Sequence, residues 1–388
     1  MKVLIVSLLG RGGMIHYTSQ LANAVGKNND VMVMLPTHAE DKYFEPYIRL
    51  SKINAPPSAL KSILLSMNIF HLKNILGQIN KFDPDVIHIV NTHPWNNIIV
   101  WCFKDYPIVY TLHDPIPHEV CAKKRLFQIL VSWNDWYGAI RSTRLIVHGK
   151  LLKQHCEEKG IPQDKIAVIP HGDYSFFAKE MATQAFPWVR NLSGKTVILF
   201  FGRIEPYKGL EYLLQSYISA QKKIQGLHLI VAGEGDLSPY QDYIRNIRDV
   251  TIINTYISDE EVTELFTISD VIVLPYISAT QSGIIPIAYA FKKPVIASNV
   301  GAISEVVDDG ITGILVPPKN VEALSKAIAL LNDPVLRRSM GNSAFRKMRE
   351  EMSWDAISER TISIYRSAYV SKSSEINRES VTLANKWV

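Results

Sequence analysis

Two basic residues, Arg203 and Lys208, follow a predicted buried strand in the middle of the chain. Residues 196–201 form an apolar run, Gly202-Arg203 opens a basic loop that ends at Lys208, and helical spacing of apolar residues resumes at Leu210. Backbone N–H groups and the positive end of a helix attract anions at such a junction, and the two side chains add full charges. The spacing therefore predicts a site for an anion such as a phosphate.

Composition bounds the class of protein. A chain of 388 residues suggests two domains, and 47% hydrophobic with 20% charged residues is typical of a soluble globular protein. A net charge of +5 permits anionic ligands or membrane surfaces without requiring nucleic acid. The chain has three scattered cysteines, Cys102, Cys121 and Cys156, and no Cys-x-x-Cys pair. This argues against a disulfide framework or zinc site and favours a reducing cytoplasm.

The apolar start of the chain, residues 1–9, is about one strand long and runs directly into the glycine-rich loop 10–13. This favours a buried first strand over an export signal. No run approaches the roughly 20 apolar residues that span a bilayer.

Strand and helix patterns alternate from end to end. The predicted strands cover residues 3–8, 30–35, 86–90, 108–112, 145–148, 166–169, 197–201, 228–232, 251–253, 271–274 and 294–297. The alternation predicts two Rossmann-like, doubly wound parallel-sheet α/β domains, residues 1–190 and 191–353. A helix at about 354–371 is expected to pack back on the first domain, with a tail at 372–388. Open α/β sheets bind ligands beyond the carboxyl ends of their strands, so we expect a central cleft that both domains face.

Eight short motifs stand in an order that resembles the GT-B glycosyltransferases, and among them family 4, the retaining nucleotide-sugar transferases. They occupy residues 10–13, 112–114, 169–173, 202–209, 232–236, 257–261, 298–307 and 309–316. The order and spacing of the set, over about residues 1–370, carry the resemblance. It implies transfer of a hexose, with glucose as first choice, from a UDP-sugar to a saccharide or lipid-linked saccharide in envelope or exopolysaccharide synthesis.

The resemblance also assigns roles. Arg203 and Lys208 would hold the donor diphosphate and stabilise the departing nucleoside diphosphate. His113, next to a predicted strand end, would hydrogen-bond a sugar hydroxyl or stabilise charge near the anomeric centre, unless it is a satisfied strand-end histidine. His148 is a weaker candidate, and His171 is interpreted as turn chemistry because many relatives carry Asn there.

The donor-binding candidates lie in the loops after the strands. They are Gly12, Gly13, Asp114, Gly202, Glu234, Tyr256, Ile257, Thr280, Gln281, Ser282, Gly283 and Ile284. The first two either face the donor sugar and diphosphate or only form a tight turn. Tyr256 either stacks on the base or belongs to the core. Ser258 and Glu261 have the spacing of a helix capping box.

Relatives carry two glutamates, separated by seven residues, in a segment where this chain has no acidic residue from 271 through 300. The chain is therefore either an active subgroup that holds ribose and sugar with neutral polar groups or a catalytically silent nucleotide-sugar-binding scaffold. Retention of His113, Arg203 and Lys208 favours activity. A glycogen- or sucrose-type synthase or phosphorylase is a third option, although no lysine motif identifies a pyridoxal phosphate site.

Cofactors and partners complete the expectations. No cluster of residues in the chain has metal-ligand spacing, so we expect no metal and no cofactor besides the UDP-sugar co-substrate. Segments 57–80 and 122–131 are apolar with scattered basic residues. They are either basic amphipathic helices on an anionic bilayer or ordinary core helices. We expect a cytoplasmic protein, in the first case peripheral to the inner face of the membrane.

Overall fold

The computed structural model describes residues 1–10, 12–56, 65, 68–113, 125–179 and 186–384. The chain divides into an N-terminal unit, Met1–Gly172 with Trp354–Val388, and a C-terminal unit, Asp173–Ser353. Each unit is built on one parallel β-sheet with helices packed against it. The predicted pair of Rossmann-like α/β domains is thus confirmed.

The N-terminal unit contains a seven-stranded sheet in the spatial order β3-β2-β1-β4-β5-β6-β7. Its strands are β1 (Lys2–Val6), β2 (Asp30–Pro36), β3 (Arg49–Ile53), β4 (Val86–Ile89), β5 (Ile108–Thr111), β6 (Arg144–Val147) and β7 (Ile166–Val168). Its helices are α1 (Gly13–Gly26), α2 (Ile69–Phe82), α3 (Asn96–Cys102), α4 (Arg125–Arg141), α5 (Lys150–Glu158) and, at the end of the chain, α14 (Trp354–Ala384).

The C-terminal unit contains a six-stranded sheet in the order β10-β9-β8-β11-β12-β13. Its strands are β8 (Thr196–Phe201), β9 (Leu227–Ala232), β10 (Val250–Ile253), β11 (Val271–Leu274), β12 (Val295–Ser298) and β13 (Gly313–Val316). Its helices are α6 (Ser175–Lys179), α7 (Leu210–Gln221), α8 (Gln241–Arg245), α9 (Asp259–Ile268), α10 (Ile284–Ala290), α11 (Ile303–Val306), α12 (Val321–Leu330) and α13 (Pro334–Glu351).

The strand order determines where each sheet can bind a ligand. In both sheets the order reverses beside the first strand, between β1 and β4 in one and between β8 and β11 in the other. Side chains or backbone groups at the carboxyl ends of these four strands are therefore positioned to meet a ligand. The central strands can occupy this place because they are continuously apolar; β9, for example, is buried along its whole length.

The strand predictions missed β3 and β13, and both lie at sheet edges. An edge strand has one neighbour and is partly solvated, so Arg49–Ile53 lacks the apolar run of a central strand, and Gly313–Val316, although apolar, is only partly buried and begins with a glycine. The expected boundary at 190/191 also differs from the division at 172/173. Tyr174, Phe177 and Leu192 pack in the core of the C-terminal unit, although the segment shows no periodic pattern.

The last helix is longer than the expected 354–371 and continues into the predicted tail. It packs on α1, β4 and β5 of the N-terminal unit. Its polar part is held in place, since the Arg144 guanidinium donates to the hydroxyls of Ser367 and Ser371 at 3.1 and 2.6 Å. Within the described residues no helix combines the length and apolar character needed to cross a bilayer.

A buried polar chain joins α14 to the sheet. The Tyr365 hydroxyl lies 2.7 Å from Nδ1 of His88, whose Nε2 lies 2.7 Å from the Thr111 hydroxyl. All three side chains are buried. Burial lowers the pKa of His88 to about 3, so the ring is neutral and has one N–H and one lone pair for its two hydroxyl partners.

Removing one hydroxyl from this chain should destabilise the fold. Tyr365→Phe leaves a buried ring nitrogen of His88 without a partner, and we expect a loss of about 1–2 kcal/mol in the free energy of unfolding, measured by urea denaturation. Tyr369→Phe is the matched control, because Tyr369 lies one turn later on the same helix and is 46% exposed. Equal stability changes in the two variants would contradict the prediction.

Candidate functional site

The basic loop begins at the carboxyl end of β8, at the point where the second sheet reverses its strand order. Gly202 has φ 104°, and a Cβ there would lie 2.6 Å from Nζ of Lys208. Gly209 has φ 67°, and a Cβ there would lie 2.0 Å from the carbonyl oxygen of Pro275. These two glycines let the loop fold onto the end of β11 and bring the Lys208 ammonium against the Gly202 backbone.

Lys208 is a buried cation at the end of the basic loop. Only 9% of the residue is exposed, and Nζ lies 5.6 Å from the centre of the Tyr276 ring. Burial and the charge of Arg203 lower the pKa of Lys208 to about 8, and Glu205 opposes that shift. Among the described residues, no carboxylate or hydrogen-bond acceptor contacts Nζ. An anion placed beside it would supply the missing charge.

Tyr276 connects Lys208 to the turn at residues 280–283. Its hydroxyl lies 3.3 Å from the Ser282 hydroxyl, which also accepts a hydrogen bond from the Ile284 N–H at 3.3 Å. Thr280 is buried, and its carbonyl accepts from the Ala302 N–H at 3.0 Å. The turn is therefore fixed beside the basic loop. Tyr276 was missed in the sequence, where its signal is an aromatic residue just after the switch-point strand β11.

The remaining donor candidates of the C-terminal unit separate into exposed and core positions. Glu234 is exposed, and its carbonyl accepts from the Ile204 N–H at 2.8 Å. Tyr256 is 67% exposed, whereas Ile257 is buried in the hydrophobic core and can offer a ligand only its backbone.

The neighbouring loop and helix are held by local side-chain contacts. Asn254, which the sequence did not single out, exchanges hydrogen bonds with the backbone of Gly235 at 2.9 and 3.0 Å. The capping box of Ser258 and Glu261 is confirmed.

In the N-terminal unit the glycine loop lies at the carboxyl end of β1. Gly12 adopts φ 62° and ψ −155°, and Gly13 is the first residue of α1. Apart from its chain neighbours, no described atom lies within 4 Å of a Cβ built on Gly12, so the described residues leave this backbone open to a ligand. Arg11, Asp114, half of segment 57–80 and all of segment 122–131 lie outside the described residues or have no described side chains.

Three histidines that are far apart in sequence gather around Tyr17. The centre of the Tyr17 ring lies 4.8, 5.7 and 5.2 Å from those of His113, His148 and His171. The pair formed by the first two is hydrogen-bonded: Nδ1 of His113 lies 3.0 Å from Nε2 of His148. The structure thus places the weaker candidate His148 in direct contact with His113.

The histidine pair has one proton fewer than its contacts require. Nε2 of His113 lies 2.9 Å from the Val90 carbonyl oxygen, and Nδ1 of His148 lies 2.8 Å from that of Ile169. Carbonyl oxygens only accept, so three contacts need three N–H groups, whereas two neutral imidazoles supply two. Burial lowers the pKa of both rings, that of His113 to about 3, and opposes a third proton. His148 therefore influences which nitrogen of His113 is protonated.

Removing His148 should fix the tautomer of His113. In His148→Leu, Nδ1 of His113 loses its partner, and the single proton should stay on Nε2, where it is donated to Val90. We expect the ring ¹⁵N shifts of His113 to move from tautomer-averaged values to those of the Nε2–H form. His171→Asn, a change beside the pair, should leave them unchanged. His113 shifts that stay the same in His148→Leu would contradict the proton count.

Within the described residues, no three His, Cys, Asp or Glu side chains gather in a way that could hold a metal ion.

Comparison with known proteins bears on both units. A family model described as Glycosyltransferase Family 4 matches residues 11–172, and one described as Glycosyl transferases group 1 matches residues 183–347. An uncharacterised glycosyltransferase of Methanocaldococcus jannaschii is 28% identical over 92% of this chain and 95% of its own.

Solved structures show the same architecture. Sucrose-phosphate synthase from Thermosynechococcus elongatus has a TM-score of 0.74 and 20% identity, over 95% of this chain and 99% of its own. Anabaena HepE in complex with UDP and glucose has a TM-score of 0.70 and 18% identity, over 95% and 100%. With a family 4 match on its first unit, a group 1 match on its second and this shared fold, the chain is a glycosyltransferase of the GT-B fold.

Proposed function

We propose that this glycosyltransferase is a retaining, metal-independent hexosyltransferase that uses a UDP-sugar, with UDP-glucose as first choice. Its acceptor is a saccharide or lipid-linked saccharide of envelope or exopolysaccharide synthesis. The proposed location is the cytoplasm, with peripheral contact at the inner face of the membrane through segments 57–80 and 122–131.

The buried ammonium of Lys208 is the observation that carries this proposal. It lies at the switch point of the second sheet, beside exposed Arg203 and without a described counter-ion. A diphosphate offers the negative oxygens that both cations lack. The same cations stabilise the charge that develops on the departing UDP, which is the role a divalent ion has in other transferases. The complex of the similarly folded HepE with UDP and glucose supports this class of donor.

Neutral groups hold the rest of the donor in this proposal. Segment 271–300 has no acidic residue, so the hydroxyls and backbone of the 280–283 turn contact the phosphate and sugar. The exposed Tyr256 ring stacks on the base. In this proposal His113 gives up its Nδ1 contact with His148 to hydrogen-bond a sugar hydroxyl, because its Nε2 is engaged by the Val90 carbonyl. Configuration is retained because the leaving phosphate accepts the acceptor proton on the face from which it departs.

A nucleotide-sugar screen tests the donor. Ligands that bind the folded state raise the melting temperature by mass action, and we expect UDP-glucose to give the largest rise among UDP-, GDP- and ADP-sugars. Purified protein should then release UDP from the same donor, with no loss of rate in EDTA. A larger shift with a GDP-sugar, tight UDP binding without release, or loss of activity in EDTA would contradict the proposal.

UDP affinity should depend on pH through Lys208. The pKa of this group is about 8 in the free protein, and a bound diphosphate raises it. Between about pH 7 and pH 8 the group is mostly charged, so affinity should change little. Above pH 8 binding must take up a proton, and affinity should fall up to about tenfold per pH unit. Calorimetry in buffers of different ionisation enthalpy measures that proton uptake, and a flat profile to pH 9.5 would contradict it.

Membrane contact has a separate test. Liposomes with anionic lipids should carry the protein upward in a flotation gradient at moderate salt, because basic amphipathic segments bind anionic surfaces. Failure to float even at low salt would remove this part of the proposal and leave the donor assignment untouched.

A further inference from the structure

A groove lies at the amino-terminal edge of the first sheet. It has a volume of about 810 Å³ and is lined by residues that precede or begin β5, β6 and β7, including Asp105, Arg144 and Lys165. Ser371, Lys372 and Glu375 of α14 close one side. Gly12 and His113 follow the carboxyl ends of their strands, and a four-residue parallel strand separates the two edges by roughly 13 Å. This basic groove is therefore distinct from the donor motifs.

Two cations of the basic groove are held by neutral groups. Arg144 donates to the Thr143 carbonyl at 3.0 Å as well as to two serine hydroxyls of α14, and Lys165 donates to the Ile140 carbonyl. In the described part of the chain, neither has a carboxylate within ion-pair distance. Neutral acceptors fix the positions of the two cations without cancelling their charges, so the groove is preorganised for an anion.

The groove also crowds like charges. Burial and the nearby Arg144 lower the pKa of Lys165 to about 8, and Asp164 only partly opposes the shift. The lining contains five lysines and arginines against three carboxylates, and one of those carboxylates, Glu375, already pairs with Lys372 at 2.8 Å. An oxyanion bound near Lys165 would relieve this repulsion.

Aromatic rings form the outer wall of the groove. Tyr137 lines it, with the Arg141 guanidinium 5.7 Å from the centre of its ring. Trp101 lines it too and is 69% exposed. An exposed ring and a half-buried ring in a groove lined by cations suit a ligand with an apolar ring face and a negative group. A pyranose that carries a phosphate or a carboxylate has both features.

We propose that the basic groove binds an anionic sugar, independently of the donor site. The sugar has one of two sources. If it is a free hexose phosphate, the groove is a regulatory site for that metabolite; if it is a charged unit of a polysaccharide, the groove is a binding site for the growing chain. The oxyanion lies between Arg144 and Lys165, and the pyranose ring lies against Tyr137 and Trp101.

Calorimetry in saturating UDP tests the proposal, because UDP fills the donor site. The probes are glucose 6-phosphate, a glucuronic acid oligomer and inorganic phosphate. We expect one of the two sugars to bind at least tenfold more tightly than phosphate, and which one binds identifies the source. Arg144→Gln with Lys165→Gln should weaken that binding at least tenfold. Arg141→Gln, at an exposed side chain, should weaken it several-fold without affecting folding.

Arg203→Met with Lys208→Met is the matched control. Because it removes the phosphate contacts of the donor site, it is measured without UDP and should bind the sugar as tightly as the wild-type protein does in UDP. If no probe binds in the presence of UDP, or if inorganic phosphate binds as tightly as the sugars, the proposal is wrong. It is also wrong if the sugar is lost in the Arg203 and Lys208 variant and kept in the Arg144 and Lys165 variant, since the probe then occupies the donor site. Neither result depends on turnover, so failure here is distinguishable from failure of the donor assignment.

Discussion

Replacing both Arg203 and Lys208 with methionine should weaken UDP binding by roughly 10²–10⁴-fold. Each side chain is expected to make charge-assisted hydrogen bonds worth about 1.5–3 kcal/mol, and about 1.4 kcal/mol corresponds to a factor of ten in affinity. Isothermal titration calorimetry of UDP against the two single variants and the double variant measures the loss. Because the two cations lie close enough for one to lower the pKa of the other, their contributions need not add.

The control removes the same two charges elsewhere. Lys222→Met with Lys223→Met changes exposed residues at the end of α7 and should leave UDP affinity unchanged. Arg203→Lys tests geometry rather than charge, since an ammonium lacks the fork of donors that a guanidinium offers to phosphate. Unchanged UDP affinity in the double variant of Arg203 and Lys208, with its fold intact by circular dichroism, would remove the phosphate role.

Local patterns were sufficient to predict the fold and the basic loop. Buried parallel strands are continuous apolar runs, so β8 and the cations just after it are visible in sequence without any knowledge of partners. Edge strands such as β3 carry a weaker signal because one side has no neighbouring strand. The strand order, and with it the two switch points, depends on pairings between distant segments that periodicity does not contain.

Contacts between side chains that are far apart in the sequence could not be predicted in the same way. His148 is 35 residues from His113, and only the neighbouring positions of β5 and β6 bring their rings together. Tyr276 reaches Lys208 because β8 and β11 are paired. The sequence also marked Lys208 as a loop cation, whereas its burial depends on the close approach that Gly202 and Gly209 allow.

Because Lys208 is buried, replacing it should also have a large effect on stability. The same substitution that weakens UDP binding should stabilise the UDP-free fold. Lys208→Met should raise the free energy of unfolding of the UDP-free protein by about 2–3 kcal/mol at pH 7, or roughly 5–10 °C in melting temperature. The buried charge has no described counter-ion, and its pKa of about 8 against an ordinary 10.5 means that folding disfavours the charged form. Methionine fills a similar volume without that charge, although it loses the contact with the Tyr276 ring.

The sign of the pH dependence separates this explanation from simple repacking. Between pH 8 and 10.5 the unfolded chain binds more protons at Lys208 than the folded chain does, so this group makes the wild-type protein more stable as pH rises through that window. The stability gap between Lys208→Met and wild type should therefore be full below pH 8 and shrink above it. Urea denaturation at pH 7 and pH 9.5 measures the gap, and Lys223→Met should show none.

A gap that stays constant with pH would mean that methionine packs better. A destabilised variant would mean that the ammonium has a partner in the folded protein, and in both cases Lys208 would not be the vacant cation on which the diphosphate site depends.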